Sequence, residues 1–272
     1  MPKASDKSTV QSLAKGLRVL EAFTAERGEM KLAEVARASG LDNGSAFRFL
    51  NTLVRLGYLE KVADTRRFRL ALKCLDLGFH AIARTELREL ARPLLRGLVG
   101  EAIEAASIAV PDGAEIVYVE RVQAGLARLG VDVRIGSRAP AYSTAVGQVI
   151  LAQLPRDQQV AVLEARPRRK LTPATLTSLE ALLKRLDAVK RNGFALADQE
   201  NVSGLRVLAA PVIDADGVPV AGLSVAAPAF ASTLTAFERS ARTPVMVAAR
   251  TLSKAIQAAG GVAAPARSPA FA

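Results

Sequence analysis

From Val10 to Leu59 the apolar residues follow a helical period three times, and at "YLEKVADTRRFRLA" they switch to alternation about a polar centre. That change of period constrains the fold most tightly. A short amphipathic helix must bury its one apolar stripe against neighbours, and here two further short helices and a hairpin follow at once to supply them. Val10, Leu13, Leu17 and Leu20, with Phe23 behind them, predict a first helix that Gly28 ends. "KLAEVARASG" predicts a second, with Leu32, Val35 and Ala36 inward and Gly40 suited to a left-handed cap. Leu41–Asn43 should turn, and a third helix should start at Asp42 or Asn43, either of which can accept free backbone N–H groups, and stop at Gly57.

At about 100° per residue, Ala46, Phe49, Leu50 and Leu53 share the inner face of that third helix. Gly44, Arg48, Asn51 and Arg55 lie opposite, with Ser45 and Thr52 on one flank and Phe47 on the other. Three helices and a two-stranded hairpin whose tip carries Arg66 and Arg67 form a winged helix-turn-helix, in which the third helix can enter the major groove and the wing can follow the phosphates. Arg48 and Arg55 suit guanine edges or phosphates, Asn51 suits adenine, and Ser45 and Thr52 suit the DNA backbone. Phe47 suits either a thymine methyl group or packing against the wing. A polar helix face alone is more often plain solvated surface. Here residues 1–84 also hold 15 Lys+Arg against 9 Asp+Glu, over half of the chain's +11 in under a third of its length, and that excess favours phosphate.

The remaining composition excludes more than it assigns. One cysteine, Cys74, cannot form an internal disulfide or a thiolate cluster, and one histidine, His80, removes most triads and zinc sites. Both are expected to pack in the core or at a dimer interface. No run reads as a signal peptide or a membrane span, so a cytoplasmic protein with no membrane partner and no cofactor is expected. A hydrolase using Asp198 and Ser224, fused to a DNA-binding module, would lack a histidine base or metal set. A winged helix that binds protein instead of DNA is disfavoured by Arg48, Arg55, Arg66 and Arg67 together.

"LKCLDLGFHAIA" and "ELRELARPLLRGLVGEAIEA" predict two helices linking the domains. Beyond them the period becomes that of strands: "ASIAVPDGAEIVYVERV" turns at Asp112-Gly113, and "LAAPVIDADGVPVAGLSVAAP" turns at Asp216-Gly217. Helices are expected at Thr144–Gln153, Asp157–Ala165, Ser178–Asn192 and Ala236–Ala258. The fold class is therefore α+β, an antiparallel sheet flanked by helices behind a winged helix-turn-helix. The expected domains are 8–71 (DNA-binding, helix-turn-helix about 32–56), 72–85 (linker helix) and 86–260 (effector domain), with a disordered tail at 261–272.

Six ordered blocks carry a resemblance: "VQSLAKGLRVLEAF", "LAEVARASGL…FRFLNTLVRLGYL", "RFRLALKCLDLG", "LRELARPLL", "IGSRAPAYSTAVGQVILA" and "GFALADQENVSGLRVLAAPV". In these the chain resembles IclR-type bacterial transcription regulators, and "VQSLAKGLRVLEAF" and "SRAPAYST" are similar to the branch responding to aromatic acids such as protocatechuate or 4-hydroxybenzoate. The resemblance implies a GAF-like effector domain, operator DNA as partner, a small organic acid effector, and a homodimer that often pairs again into a tetramer. RNA polymerase joins the partners if the protein activates. It also implies effector-binding roles for Ala145, Val146, Asp198, Val207 and Ser224. The chain departs from the family pattern at Val207 and Ala226, where carboxylate-sensing members often carry sulfur or hydroxyl, and at Asn43 and Phe47, where arginine is common. Ser143 and Thr144 at a helix start, with Arg138 close in sequence, suit either an anion or ordinary N-capping. Asp198 would then accept a ligand hydroxyl, which favours a hydroxylated aromatic acid.

Overall fold

The computed structural model describes residues 9–82, 85–100, 102–124 and 133–259. The expected fraying before residue 8, the disordered tail from 261 and the side chain of His80 lie outside the described residues. The chain folds as two compact units, Met1–Ala81 and Ile82–Ala272.

In the first unit α1 (Gln11–Glu21), α2 (Leu32–Ser39) and α3 (Asn43–Arg55) enclose a core of Val19, Phe23, Val35, Leu50 and Leu53. Full burial of each such side chain contributes about 1.5–3 kcal/mol. The inward faces of α2 and α3 are those the sequence predicts. The inward face of α1 is not: Leu13 and Leu17 stay 63% and 49% exposed, while Val19 is fully buried. The physical reason is that α1 is apolar on two sides, and Gly16 brings the second close to α3, where a Cβ at Gly16 would lie 3.6 Å from Phe49.

The wing also differs from a plain hairpin. β1 (Met30–Lys31), β2 (Leu59–Lys61) and β3 (Arg67–Leu70) form a three-stranded sheet in the order β1-β3-β2. Met30 pairs with Phe68 and Lys31 with Arg67, so Arg67 is a strand residue and only Arg66 sits in the turn. The first helix of the expected linker, α4 (Lys73–Ile82), is fastened at its start to the end of α3: Lys73 Nζ donates to Leu56 O at 2.9 Å and lies 5.0 Å from the Tyr58 ring centre, and Cys74 Sγ donates to Tyr58 O at 3.2 Å. Cys74 is therefore a packing residue, and partial burial raises its thiol pKa.

The second unit begins with α5 (Thr85–Leu98), whose Ala91 and Leu95 are fully buried in the core of this unit, so it is no free-standing linker. Then follow β4 (Ala105–Asp112), β5 (Glu115–Gln123), β6 (Arg138–Pro140), a 3-10 turn (Ala141–Ser143), α6 (Ala145–Leu151), α7 (Arg156–Glu164), α8 (Leu179–Asn192), β7 (Ala195–Asp198), β8 (Leu205–Ile213), β9 (Pro219–Pro228) and α9 (Leu234–Ala258). The six strands run antiparallel in the order β6-β5-β4-β9-β8-β7. The two predicted hairpins thus adjoin through β4 and β9 at the sheet centre. One face packs on α5 and α9, the other on α6 and α8, giving two apolar cores. Strands β6 and β7, absent from the sequence reading, have three and four residues, too few for alternation to register.

Candidate functional site

The turn between α2 and α3 follows from two local devices. Gly40, at φ +67°, takes the left-handed conformation that closes α2, with Leu41 N–H bonded to Ala36 O at 2.9 Å. Asp42 then caps α3, its Oδ1 accepting the Ser45 N–H at 2.8 Å, and these bonds hold its carboxyl below the usual carboxylate range. Ala46, Leu50 and Leu53 are drawn inward, which turns Gly44, Arg48 and Arg55 to solvent and leaves Asn51 half-buried beside them.

The cations of this unit differ in how they are occupied. Arg69 pairs with Glu60 at 2.5 Å, and Arg67 donates to Glu29 O at 3.0 Å and stands 3.6 Å from Glu34. Among the described residues, Arg48, Arg55 and the exposed Arg66 have no acidic partner. The guanidinium of Arg67, expected at the wing tip, is instead taken up in tying β3 to the start of α2. Of the flanking residues, Ser45 is half-buried, Thr52 donates its hydroxyl to Arg48 O at 2.8 Å, and Phe47 is 51% exposed. Phe47 is thus not buried against the wing, the alternative its sequence position leaves open.

In the second unit, Gly222, Ser224 and Ala226 alternate onto one face of β9. Helix α6 lies directly on Gly222, where a Cβ would fall 2.9 Å from Val146 Cγ1. Further along the same face, Ser224 and Ala226 join Ala105, Ser107, Leu205 and Val207 in lining a small hollow of about 30 Å³. The sheet register explains the depression: Ser107 pairs with Ser224, which pairs with Ala209, and the next row is Ala105, Ala226 and Val207. Small side chains cover the middle strands there.

The walls of the hollow include Tyr118, Arg121 and Val133. Tyr118 and Arg121 are three apart, which in a regular strand puts them on opposite faces. A β-bulge opposite Ile108/Ala109 shifts the alternation and brings both to the same side. Arg121 Nη1 donates to Ser107 Oγ at 3.0 Å, while its Nε is buried with no partner among the described residues. Its neighbour Glu120 pairs with Arg88 of α5 at 3.2 Å, so that among the described residues Arg121 has no acidic partner. Burial lowers the Arg121 pKa and raises that of Tyr118, the nearby guanidinium opposing the latter shift.

The residues expected to hold an effector are therefore divided. Val207 and Ser224 line the hollow. Arg138 does not serve Ser143 and Thr144: it lies on β6 and binds Asp112 and Glu115. Ser143 is fully buried and donates to Asn201 Oδ1 at 3.0 Å, and Thr144 is the N-cap of α6, accepting the Gly147 N–H at 3.1 Å. Both hydroxyls are thus engaged in structure. Ala145 and Val146 begin α6 inside the core. Asp198 accepts from Arg206 Nε at 2.9 Å, so its carboxylate already has a cation, and it is not among the residues lining the hollow. Ser107, Tyr118 and Arg121 were not found from the sequence, because the bulge that gathers them follows from register and leaves no local motif.

Among the described residues there is no cluster of metal-ligating side chains and no helix long and apolar enough to cross a membrane. A family model described as the bacterial transcriptional regulator IclR C-terminal region matches residues 79–254, and one described as the IclR helix-turn-helix domain matches residues 12–63. The chain is 33% identical over 219 residues to the p-hydroxybenzoate hydroxylase transcriptional activator of Acinetobacter baylyi, covering 79% of this chain and 80% of that one. A crystal structure of a transcriptional regulator from Rhodococcus superposes with a TM-score of 0.82 at 36% identity, covering 93% of this chain and all of the other. An IclR homologue from Microbacterium hydrocarbonoxydans, complexed with 4-hydroxybenzoate, superposes with a TM-score of 0.78 at 25% identity over 91% of this chain and 99% of that one. These families and relatives are regulators of transcription and not enzymes.

Proposed function

Because the chain belongs to the IclR family of bacterial transcriptional regulators, we propose that it is a ligand-controlled operator-binding protein whose C-terminal unit senses a small organic acid. The observation that carries the reading is the outer face of α3, where Arg48 and Arg55 stand beside Asn51 with no acidic partner among the described residues, while Arg67 and Arg69 are held by acids of their own unit. Arg48, Asn51 and Arg55 would meet base edges or phosphates in the major groove, with Ser45 and Thr52 at the backbone and Phe47 against a thymine methyl group. Arg66 at the wing turn would follow the phosphates, and Arg67 would hold the wing in place for it.

The effector reading rests on the hollow over Ser224 and Val207 and on the relative crystallised with 4-hydroxybenzoate. An aromatic carboxylate is the finer form of that reading. Homodimerisation is supported by the open apolar side of α1 at Leu13 and Leu17, since contiguous apolar surface of this kind ordinarily meets a partner. Paired recognition helices would match two half-sites, and a dimer of dimers would extend the match. The effector acts by shifting the balance between arrangements that do and do not fit the half-site spacing, which requires that it bind them unequally. RNA polymerase is a further partner if the regulator activates.

Selection of genomic fragments by the purified protein, with and without 4-hydroxybenzoate and related acids, tests the whole reading. Enrichment of a symmetric motif whose occupancy changes with one acid is expected. Failure to enrich any fragment at low ionic strength contradicts it.

A further inference from the structure

Beside the turn that joins β4 to β5, the second unit opens into a cleft of about 100 Å³, well away from the hollow on β9. Ala141, Tyr142, Val162 and Leu163 form its floor, and each is less than a tenth exposed. Residues 166–171 supply a wall that its own hydrogen bonds fix in place. Tyr142 Oη donates to Arg169 O at 2.6 Å, Arg168 Nε donates to Thr177 O at 2.8 Å, and the Leu171 N–H donates to Thr175 Oγ1 at 3.1 Å. Four of the five residues 166–170 are cations. Arg166 stands 3.3 Å from Glu115, which Arg138 also approaches at 3.3 Å, and Arg168 is engaged with backbone carbonyls. Arg169 and Lys170 are exposed and, among the described residues, have no acidic partner. Leu171, 43% exposed, adds apolar surface beside them.

We propose that this cleft docks an acidic peptide segment of another protein, which seats one apolar side chain on the floor and pairs its carboxylates with Arg169 and Lys170. The proposal goes beyond the operator and effector readings and depends on neither. Size sets the anchor: an apolar cavity of about 150 Å³ takes benzene, so this smaller, open cleft takes the end of one aliphatic or aromatic side chain. Charge sets what flanks it, because the cations beside the cleft are the ones their own unit leaves without acids. A duplex would satisfy those cations but leave the cleft unfilled, since its apolar faces are stacked inside it. A second copy of the chain brings the same net charge of +11, which opposes the approach. The wall is already ordered by its hydrogen bonds, so seating the side chain freezes little further motion on this side of the contact. One buried anchor within a rim of exposed ion pairs gives a contact that salt weakens.

Fluorescence polarisation with the full chain tests this, using short labelled peptides that carry phenylalanine, leucine or valine at the centre and aspartate and glutamate on both sides. The controls are the same peptide with alanine at the centre, one with lysine in place of every acid, and unlabelled 4-hydroxybenzoate as a competitor. At least one of the three acidic peptides should bind, about tenfold more tightly than the alanine peptide, and the lysine peptide should not bind. Arg169→Glu/Lys170→Glu should weaken the binding by about tenfold or more while the melting temperature stays that of the parent, since both side chains are exposed. Ala114→Phe, which fills the cleft from its side and keeps the cations, should make the anchored and alanine peptides bind alike. Silence of the parent towards all three peptides at low ionic strength overturns the proposal. Equal affinity of the parent for the anchored and alanine peptides also overturns it, by reducing the contact to plain charge attraction. So does unchanged affinity in the charge-reversed variant. Displacement of the peptide by 4-hydroxybenzoate would give the cleft to a small acid, and a change in the sedimentation of the charge-reversed variant would give it to a second copy of the chain; either result overturns the proposal.

Discussion

Arg48 and Arg67 belong to one small unit and carry the same charge in opposite surroundings. Arg67 is bonded to Glu29 O and stands beside Glu34, whereas Arg48 faces solvent with no acidic partner among the described residues. Arg48→Ala should weaken operator binding by about 1–3 kcal/mol if it contacts a base, with the unfolding temperature unchanged. Arg67→Ala should do the reverse first, lowering the stability of the wing before it affects DNA. Fluorescence anisotropy on a labelled operator, paired with thermal melts, separates the two. In the second unit Gly147 and Gly222 admit no side chain: a Cβ would fall 2.1 Å from Ala141 O in one and 2.9 Å from Val146 Cγ1 in the other. Gly222→Ala should cost about 1–3 kcal/mol as overpacking against α6, read by urea unfolding. At this scale the sequence was legible where helical spacing carried the information, as for Arg48, Asn51 and Arg55. It was silent on Arg121, whose direction depends on a bulge set by pairing with a distant strand.

Helix α3 was readable almost to its ends, because Asp42 and Gly57 are local punctuation and the inner face is a plain 3.6-residue repeat. Helix α1 was readable as a helix but not in its burial, since two apolar sides compete and only packing on Phe49 decides which turns inward. The cap of α3 gives a pH dependence with a defined sign. Because the folded Asp42 carboxyl lies below its ordinary value, its charge stabilises the unit above the unfolded carboxyl's range and that stability is lost as pH falls through the folded value. Asp42→Asn still accepts the Ser45 N–H but carries no charge. The parent should therefore be more stable than Asp42→Asn near neutrality, and the gap should close on acidification below about pH 4. Circular dichroism melts across that range measure it, and a gap independent of pH would contradict the assignment.

For the molecule as a whole, regulation requires that the acid bind the operator-competent and operator-incompetent states unequally, by a factor that is commonly about 5–150. Linkage makes the factor reciprocal. Saturating operator DNA should change the affinity for the acid by the same ratio, in the same direction, as the acid changes the affinity for DNA. Titrations in both orders check this, and unequal ratios would mean that the two ligands do not share one equilibrium. The order of domains and the α+β class were legible because the change of period is long and sharp. The hollow on the β9 face was only half legible: Val207 and Ser224 were named from the family resemblance, while Asp198, Arg138, Ser143 and Thr144 are bonded to their own neighbours outside it.

The central claim is that the solvent face of α3 meets a DNA duplex. It is tested most directly by the affinity of the full chain for the DNA upstream of its own gene across a series of salt concentrations, with Arg48→Ala/Arg55→Ala measured beside the parent. The parent should bind with an affinity that falls linearly in log–log form as salt rises, and the double variant should bind more weakly with a shallower slope. Equal affinities and equal slopes for the two proteins would contradict the account.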